Sequence, residues 1–129
     1  MTVVDASVVV EVLLRTPAGR AVEGRLFDRR AELHAPHLLD VEVAQVLRRY
    51  CASGDLTPRR GAEAVTDLAD LPITRHEHAL LLPRIWQLRR NLTAYDAAYV
   101  ALADALDATL LTRDSKLARA AGRTRVEVV

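Results

Sequence analysis

The chain contains one cysteine, one lysine and few aromatic residues, the last making up 4% of its 129 positions. A lone Cys51 cannot close an internal disulfide, so a small cross-linked secreted scaffold is excluded. Apolar runs such as Leu80 to Leu82 fall far short of the roughly 18 residues of a membrane span, and no membrane association is expected. Met1 leads directly into Thr2-Val3-Val4-Asp5 without a basic n-region, which argues against a secretory signal and for a cytoplasmic location. No GxGxxG or Walker-type glycine loop is present, nor a Ser/His/Asp constellation for nucleophilic catalysis. Neither sign of charge dominates, with 18 basic residues against 17 acidic, so no overall field draws the chain onto nucleic acid. Any such binding has to be local.

The chain does have the means to build a core. Half of its residues are hydrophobic, and a chain of this length is expected to form a single domain over residues 1–129. Thr2 to Ala6 reads as a buried strand, Ser7 to Arg15 as a helix and Ala18 to Arg30 as a second amphipathic stretch. Glu32 to Ala35 reads as a brief strand stopped by Pro36. From His37 to Ser53, Leu39, Val43, Val46, Leu47 and Tyr50 share one helix face. Pro58 to Leu71 is predicted helical, Pro72 to Arg75 a weak strand, and His76 to Asn91 a helix that Pro83 kinks or splits. A helix over Thr93 to Asp107, a strand over Thr109 to Thr112, a helix over Asp114 to Ala121 and a strand over Arg125 to Val129 complete the pattern. Strands alternating with helices indicate an α/β fold, a small parallel sheet flanked by helices on both faces. Its functional crevice belongs at the carboxyl ends of the strands.

Asp5 and Asp114 fall at or just past strand ends, and Asp96 in the first turn of its helix. Each has a simple structural reading: Asp5 and Asp114 as helix N-caps, and Thr93 with Asp96 as a capping-box spacing. Glu42 is harder to explain that way. At about 100° per residue it lies about 60° from Leu39 and about 40° from Val46, on the margin of the apolar face. Asp40 points about 200° away from Glu42, toward solvent or the helix start. The same wheel turns Asp96 inward beside Val100 and Ala103, and leaves Asp104 and Asp107 on the outer face or at the helix end.

In a parallel sheet Asp5 and Asp114 emerge at one edge, and the two helices can bring Glu42 and Asp96 to it. Four bare carboxylates would repel and raise one another's pKa values, so such a cluster calls for cations. Hard oxygen donors without cysteine or a histidine cluster favour Mg2+ or Mn2+ over zinc. His76 and His78, read on a helix, point to different faces, and His34 and His37 flank Pro36 in a loop. All four histidines read as structural or surface residues. Of the 18 basic residues only Lys116 is a lysine, and arginines occur in pairs at 29–30, 48–49, 59–60 and 89–90. Arginine suits bidentate phosphate contact, although solvated helix edges are the simpler reading.

Four segments then stand out: Val3-Val4-Asp5-Ala6-Ser7, Glu42-Val43-Ala44-Gln45-Val46-Leu47, Thr93 through Ala103, and Leu110-Leu111-Thr112-Arg113-Asp114-Ser115-Lys116-Leu117-Ala118. In this order the chain resembles the PIN-domain nucleases, specifically the VapC-type toxins of bacterial toxin-antitoxin pairs, from end to end. The resemblance implies a PIN-like α/β/α sandwich and a metal-dependent endoribonuclease acting on RNA. It also implies a homodimer and inhibition by a small VapB-like antitoxin. It places Asp5, Glu42, Asp96 and Asp114 at the family's metal-binding positions, with Ser7 and Thr112 as hydroxyl helpers. Gln45 departs from the asparagine many relatives carry, which implies retuned hydrogen bonding at the site. Phosphodiester hydrolysis by carboxylate-held cations needs no protein nucleophile. Leu13, Leu14, Leu81, Ile85 and Trp86 are candidate walls for the antitoxin, though core packing competes for each. A receiver-like phosphoacceptor domain would need adjacent acids after the first strand, where Asp5 stands alone. A PIN-fold binding module without catalysis, or a housekeeping nuclease, is the remaining alternative.

Overall fold

A computed structural model describes the whole chain, Met1–Val129. The elements follow in the order β1 (Thr2–Val4), α1 (Ala6–Leu13), α2 (Pro17–Leu26), β2 (Leu33–Pro36), α3 (Leu38–Ala52), α4 (Pro58–Asp70) and β3 (Ile73–His76). A 3₁₀ turn (Ala79–Leu81), α5 (Leu82–Gln87), α6 (Ala94–Leu106), β4 (Thr109–Thr112), α7 (Ser115–Ala120) and β5 (Val126–Val128) complete the chain. All strand pairs are parallel, in the order β3-β2-β1-β4-β5. The chain winds outward from β1 through β2 to β3, then crosses to the other side of β1 and continues through β4 to β5. The direction of winding therefore reverses between β1 and β4, and a crevice opens where their carboxyl ends diverge.

Local chemistry sets the helix starts. Thr16, Thr57 and Thr93 each accept a backbone N–H from the first turn of the helix they precede, and Pro17 and Pro58 open α2 and α4, where a missing N–H costs nothing. Gly19 is required by space: a Cβ there would lie 2.1 Å from the carbonyl oxygen of Glu11, so only glycine lets α2 fold back on α1. Helices α1 to α4 pack on one another, and α5 packs on α6. Residues Ala97–Ala103 of α6 are buried without interruption, the mark of a helix enclosed on every side. Val3, Val4, Leu39, Val43, Leu110 and Leu111 are all but inaccessible, and each contributes about 1.5–3 kcal/mol by its burial. No helix is long and apolar enough to cross a membrane.

Two expectations need correction. His76–Asn91 is not one helix: His76 belongs to β3, and α5 begins only at Leu82, with Pro83 in its first turn where proline is tolerated. The pairing of Ala35 with Arg75 and Pro36 with His76 captures the start of that segment for the sheet. His34 lies in β2 rather than in a loop, and Pro36 ends the strand instead of following it. Pairing of β2 with β1 stops at His34, so the missing N–H of Pro36 breaks no ladder bond on that side.

Candidate functional site: four carboxylates at the switch point

Asp5 leaves β1 at the crevice and is 6% exposed. Its Oδ1 accepts hydrogen bonds from the Ser7 and Val8 backbone N–H groups, at 3.0 and 3.4 Å, and from the Ser7 hydroxyl at 2.5 Å. Its Oδ2 accepts from the Thr112 hydroxyl at 2.5 Å. The network continues across the crevice: Ser7 Oγ accepts from the Arg113 backbone N–H at 2.9 Å, and Thr112 Oγ1 from that of Asp114 at 3.0 Å. The ends of β1 and β4 are thus laced together through one carboxylate and two hydroxyls. Asp114 is exposed and caps α7, its Oδ1 accepting from the Lys116 and Leu117 N–H groups at 2.8 and 3.3 Å. A helix start at a strand end points its cap toward the crevice, so capping keeps Asp114 among the candidate site residues.

Glu42 approaches from α3 and Asp96 from the first turn of α6, both partly buried. The Tyr99 hydroxyl donates to Glu42 Oε1 at 2.5 Å. Burial is the main force raising the Asp5, Glu42 and Asp96 pKa values above the ordinary carboxylate range. Repulsion adds to it: Glu42 feels Asp96 and Asp5, and Asp96 feels Asp114 and Asp5. Burial and the bond to Glu42 push the Tyr99 hydroxyl well above the usual phenol range, so it serves as a neutral donor. No arginine or lysine forms an ion pair with any of the four carboxylates. They do not close into a finished cage, since no three acidic, histidine or cysteine side chains stand at ligand distances around one point. As a donor set, hard oxygens with unbalanced charge suit a divalent Mg2+ or Mn2+ ion.

The other acids expected to point away do so. Asp40 pairs with Arg75 at 2.9 Å, Asp104 with Arg84 at 2.9 Å, and Asp107 with Arg125 at 3.2 Å. Gln45 is exposed and makes no side-chain hydrogen bond. Three histidines make structural contacts and His37 is exposed: His34 Nδ1 meets His76 Nε2 at 2.8 Å across β2 and β3, and His78 Nε2 accepts the Leu38 N–H at 3.0 Å. Among the candidate apolar walls, Leu13, Leu81 and Ile85 are core residues and Leu14 is half-buried, whereas Trp86 is 68% exposed beneath the Arg89 guanidinium. Tyr99 is the residue that sequence reasoning missed. Its signal is spacing, since a phenol three residues after Asp96 shares that residue's helix face.

The chain has relatives of known sequence and fold. Ribonuclease VapC1 of Mycobacterium tuberculosis is 45% identical over 93% of this chain and 90% of its own length. Ribonuclease VapC12 of the same organism is 39% identical over 100% of this chain and 99% of its own. The structure of VapBC2 from Rickettsia felis bound to a DNA fragment from their promoter shares the fold, with a TM-score of 0.72 over 98% of this chain and 97% of that one at 13% identity. The family model described as PIN domain matches residues 2–123, and the chain belongs to the PIN-domain family.

Proposed function

We propose that this chain is an endoribonuclease that cuts RNA phosphodiester bonds with Mg2+ or Mn2+ held by Asp5, Glu42, Asp96 and Asp114, and that it acts as the toxin of a toxin-antitoxin pair. One observation carries the reading: carboxylates from four separate segments lie near enough at the switch point for Glu42 and Asp96 to feel the charge of the others, and none is neutralised by a cation of the protein. When bound, the divalent ion supplies a nucleophilic water at neutral pH and stabilises charge on the leaving oxygen. Asp5 is the hub, held at both oxygens by Ser7, Val8 and Thr112 so that its lone pairs are aimed before any ligand arrives. Tyr99 holds one oxygen of Glu42 and leaves the other without a protein donor. Gln45, one turn beyond Glu42, is assigned to the rim as a supporting amide. On this reading the protein works in the cytoplasm as a single-domain homodimer, with a VapB-like antitoxin as its inhibitor.

Cleavage of cellular RNA with added Mg2+ or Mn2+, abolished by excess chelator and by Asp96→Asn, is the expected result. Equal cleavage in excess chelator would overturn the reading. Co-purification with the product of the neighbouring reading frame tests the toxin role, and harmless expression of the chain alone counts against it.

A further inference from the structure

Beside the acidic crevice lies a second, oppositely charged cleft. Arg90, Asn91, Lys116, Arg119, Ala120 and Gly122 line a shallow, open cleft of about 620 Å³. Its three cations are exposed, no carboxylate lines the cleft, and none of the three takes part in an ion pair. The walls continue the segments that carry the site. Lys116 and Arg119 belong to α7, which Asp114 caps, and Asn91 lies two residues before Thr93, which caps the helix bearing Asp96. Cations placed to balance the carboxylates would stand within ion-pair distance of them, and these do not. Two opposite charge clusters are therefore held side by side, each without a partner in the protein.

We propose that this cleft is a phosphate subsite for single-stranded RNA, gripping the backbone beside the bond presented to the carboxylates; this rests on the endoribonuclease reading given above. Arg119 lies five residues beyond Asp114, roughly 7.5 Å along the helix axis. The cleft has no aromatic wall on which a base could stack, and only Ala120 is hydrophobic, so it reads charge rather than sequence. The two guanidinium groups can each bind a phosphate bidentately, and Lys116, two residues after Asp114, adds a point charge. Gly122 turns the chain at the cleft's edge with φ +66, a conformation side chains resist.

The test holds binding apart from cleavage. In excess chelator, a short fluorescein-labelled single-stranded RNA is titrated by anisotropy over a salt series. Wild type, Arg90→Gln/Arg119→Gln and a control Arg20→Gln/Arg29→Gln are compared, all checked for unchanged melting temperature. Loss of two phosphate contacts should flatten the slope of log affinity against log salt by about 1.4, and weaken binding about tenfold at low salt. With metal restored, KM should rise and kcat persist. An unchanged slope, or an equal loss in the control, overturns the subsite. So does retained RNA affinity accompanied by lost affinity for polyglutamate, which would assign the cleft to an acidic protein segment. If wild type binds RNA with the steeper slope yet cuts none with metal, the subsite stands and the nuclease reading falls. If RNA is cut with metal while the slope is the same in wild type and variant, the nuclease reading stands and the subsite falls.

Discussion

The two carboxylates at strand ends and the two on helices face the same crevice but are held very differently. Asp5 is nearly enclosed, and both its oxygens are fixed by four donors from Ser7, Val8 and Thr112. Asp114 is pinned at one oxygen by the first N–H groups of α7. Glu42 has the Tyr99 hydroxyl alone, and Asp96 has only the Thr93 hydroxyl to favour its charged form. The contrast follows from the backbone. A strand end delivers consecutive N–H groups to the next carboxylate as the helix begins, whereas a residue inside a helix finds its neighbouring N–H groups already used. The strand half is ordered in advance, and the helix half keeps more side-chain freedom.

Asp5→Asn should sharpen this difference most. The amide can still accept from Ser7, but its NH2 now faces the Thr112 hydroxyl, which already accepts from the Asp114 N–H. Charge and network are lost together, and cleavage should fall by about 10²–10³-fold or more in a metal-saturated assay. Glu42→Gln should cost less, because no comparable network depends on it. Equal losses in the two variants would break the distinction.

Tyr99→Phe tests the helix half alone. The side chain is fully buried and Phe preserves its shape, so the variant removes only the donor to Glu42. Stability should change by about 1 kcal/mol, while kcat should fall by about tenfold as Glu42 gains rotamers. Thermal melting and single-turnover cleavage check the two numbers.

Much of this site is legible in the sequence, for identifiable reasons. Asp5 and Asp114 follow short apolar strands, and the 3.6-residue period alone sorts Glu42 and Asp96 inward from Asp40 and Asp104 outward. The segment from His76 to Asn91 is not legible in that way. A weak strand over Pro72 to Arg75 is legible, but its extension to His76 exists because β2 offers an edge to pair with, a long-range cause that no local period records. Tyr99 is hidden within an unbroken buried stretch, where a phenol reads as another core ring. The basic cleft joins residues 90 and 119, and no spacing along the chain announces such a meeting.

The raised carboxylates also set a pH dependence in metal-free protein. Asp5, Glu42 and Asp96 hold protons more tightly folded than unfolded. Their contribution to stability is complete below the ordinary carboxylate pKa of about 4 and is lost as pH rises through the raised values. His34 works in the opposite sense. Its pKa is lowered by burial and by His76, so its contribution is present above about 6.5 and is lost as pH falls through the lowered value. Chelated wild type compared with Asp5→Asn isolates the carboxylate part: wild type should lose melting temperature relative to the variant as pH rises above the ordinary carboxylate pKa of about 4. Saturating Mg2+ should remove most of that difference. A gap that does not vary with pH would show that Asp5 matters to stability only through its hydrogen bonds.

The smallest effect on cleavage is expected at Asp40, and it bears on the comparison because Asp40 shares α3 with Glu42. Two residues of helix separate them, enough to turn one toward the crevice and the other toward β3, where Asp40 accepts from Arg75. Arg75 also donates to the Leu68 and Leu71 carbonyls at the end of α4, so Asp40→Asn leaves it with other partners and an exposed rim. The pair is partly solvated, and its loss should change stability by no more than about 1 kcal/mol. Cleavage should stay within about threefold of wild type at saturating metal, against the far larger loss in Glu42→Gln. If Asp40→Asn instead impairs metal-dependent cleavage as strongly as Glu42→Gln, then the start of α3 rotates when the site is loaded. The helix half would then be mobile as a whole element and not merely in its side chains.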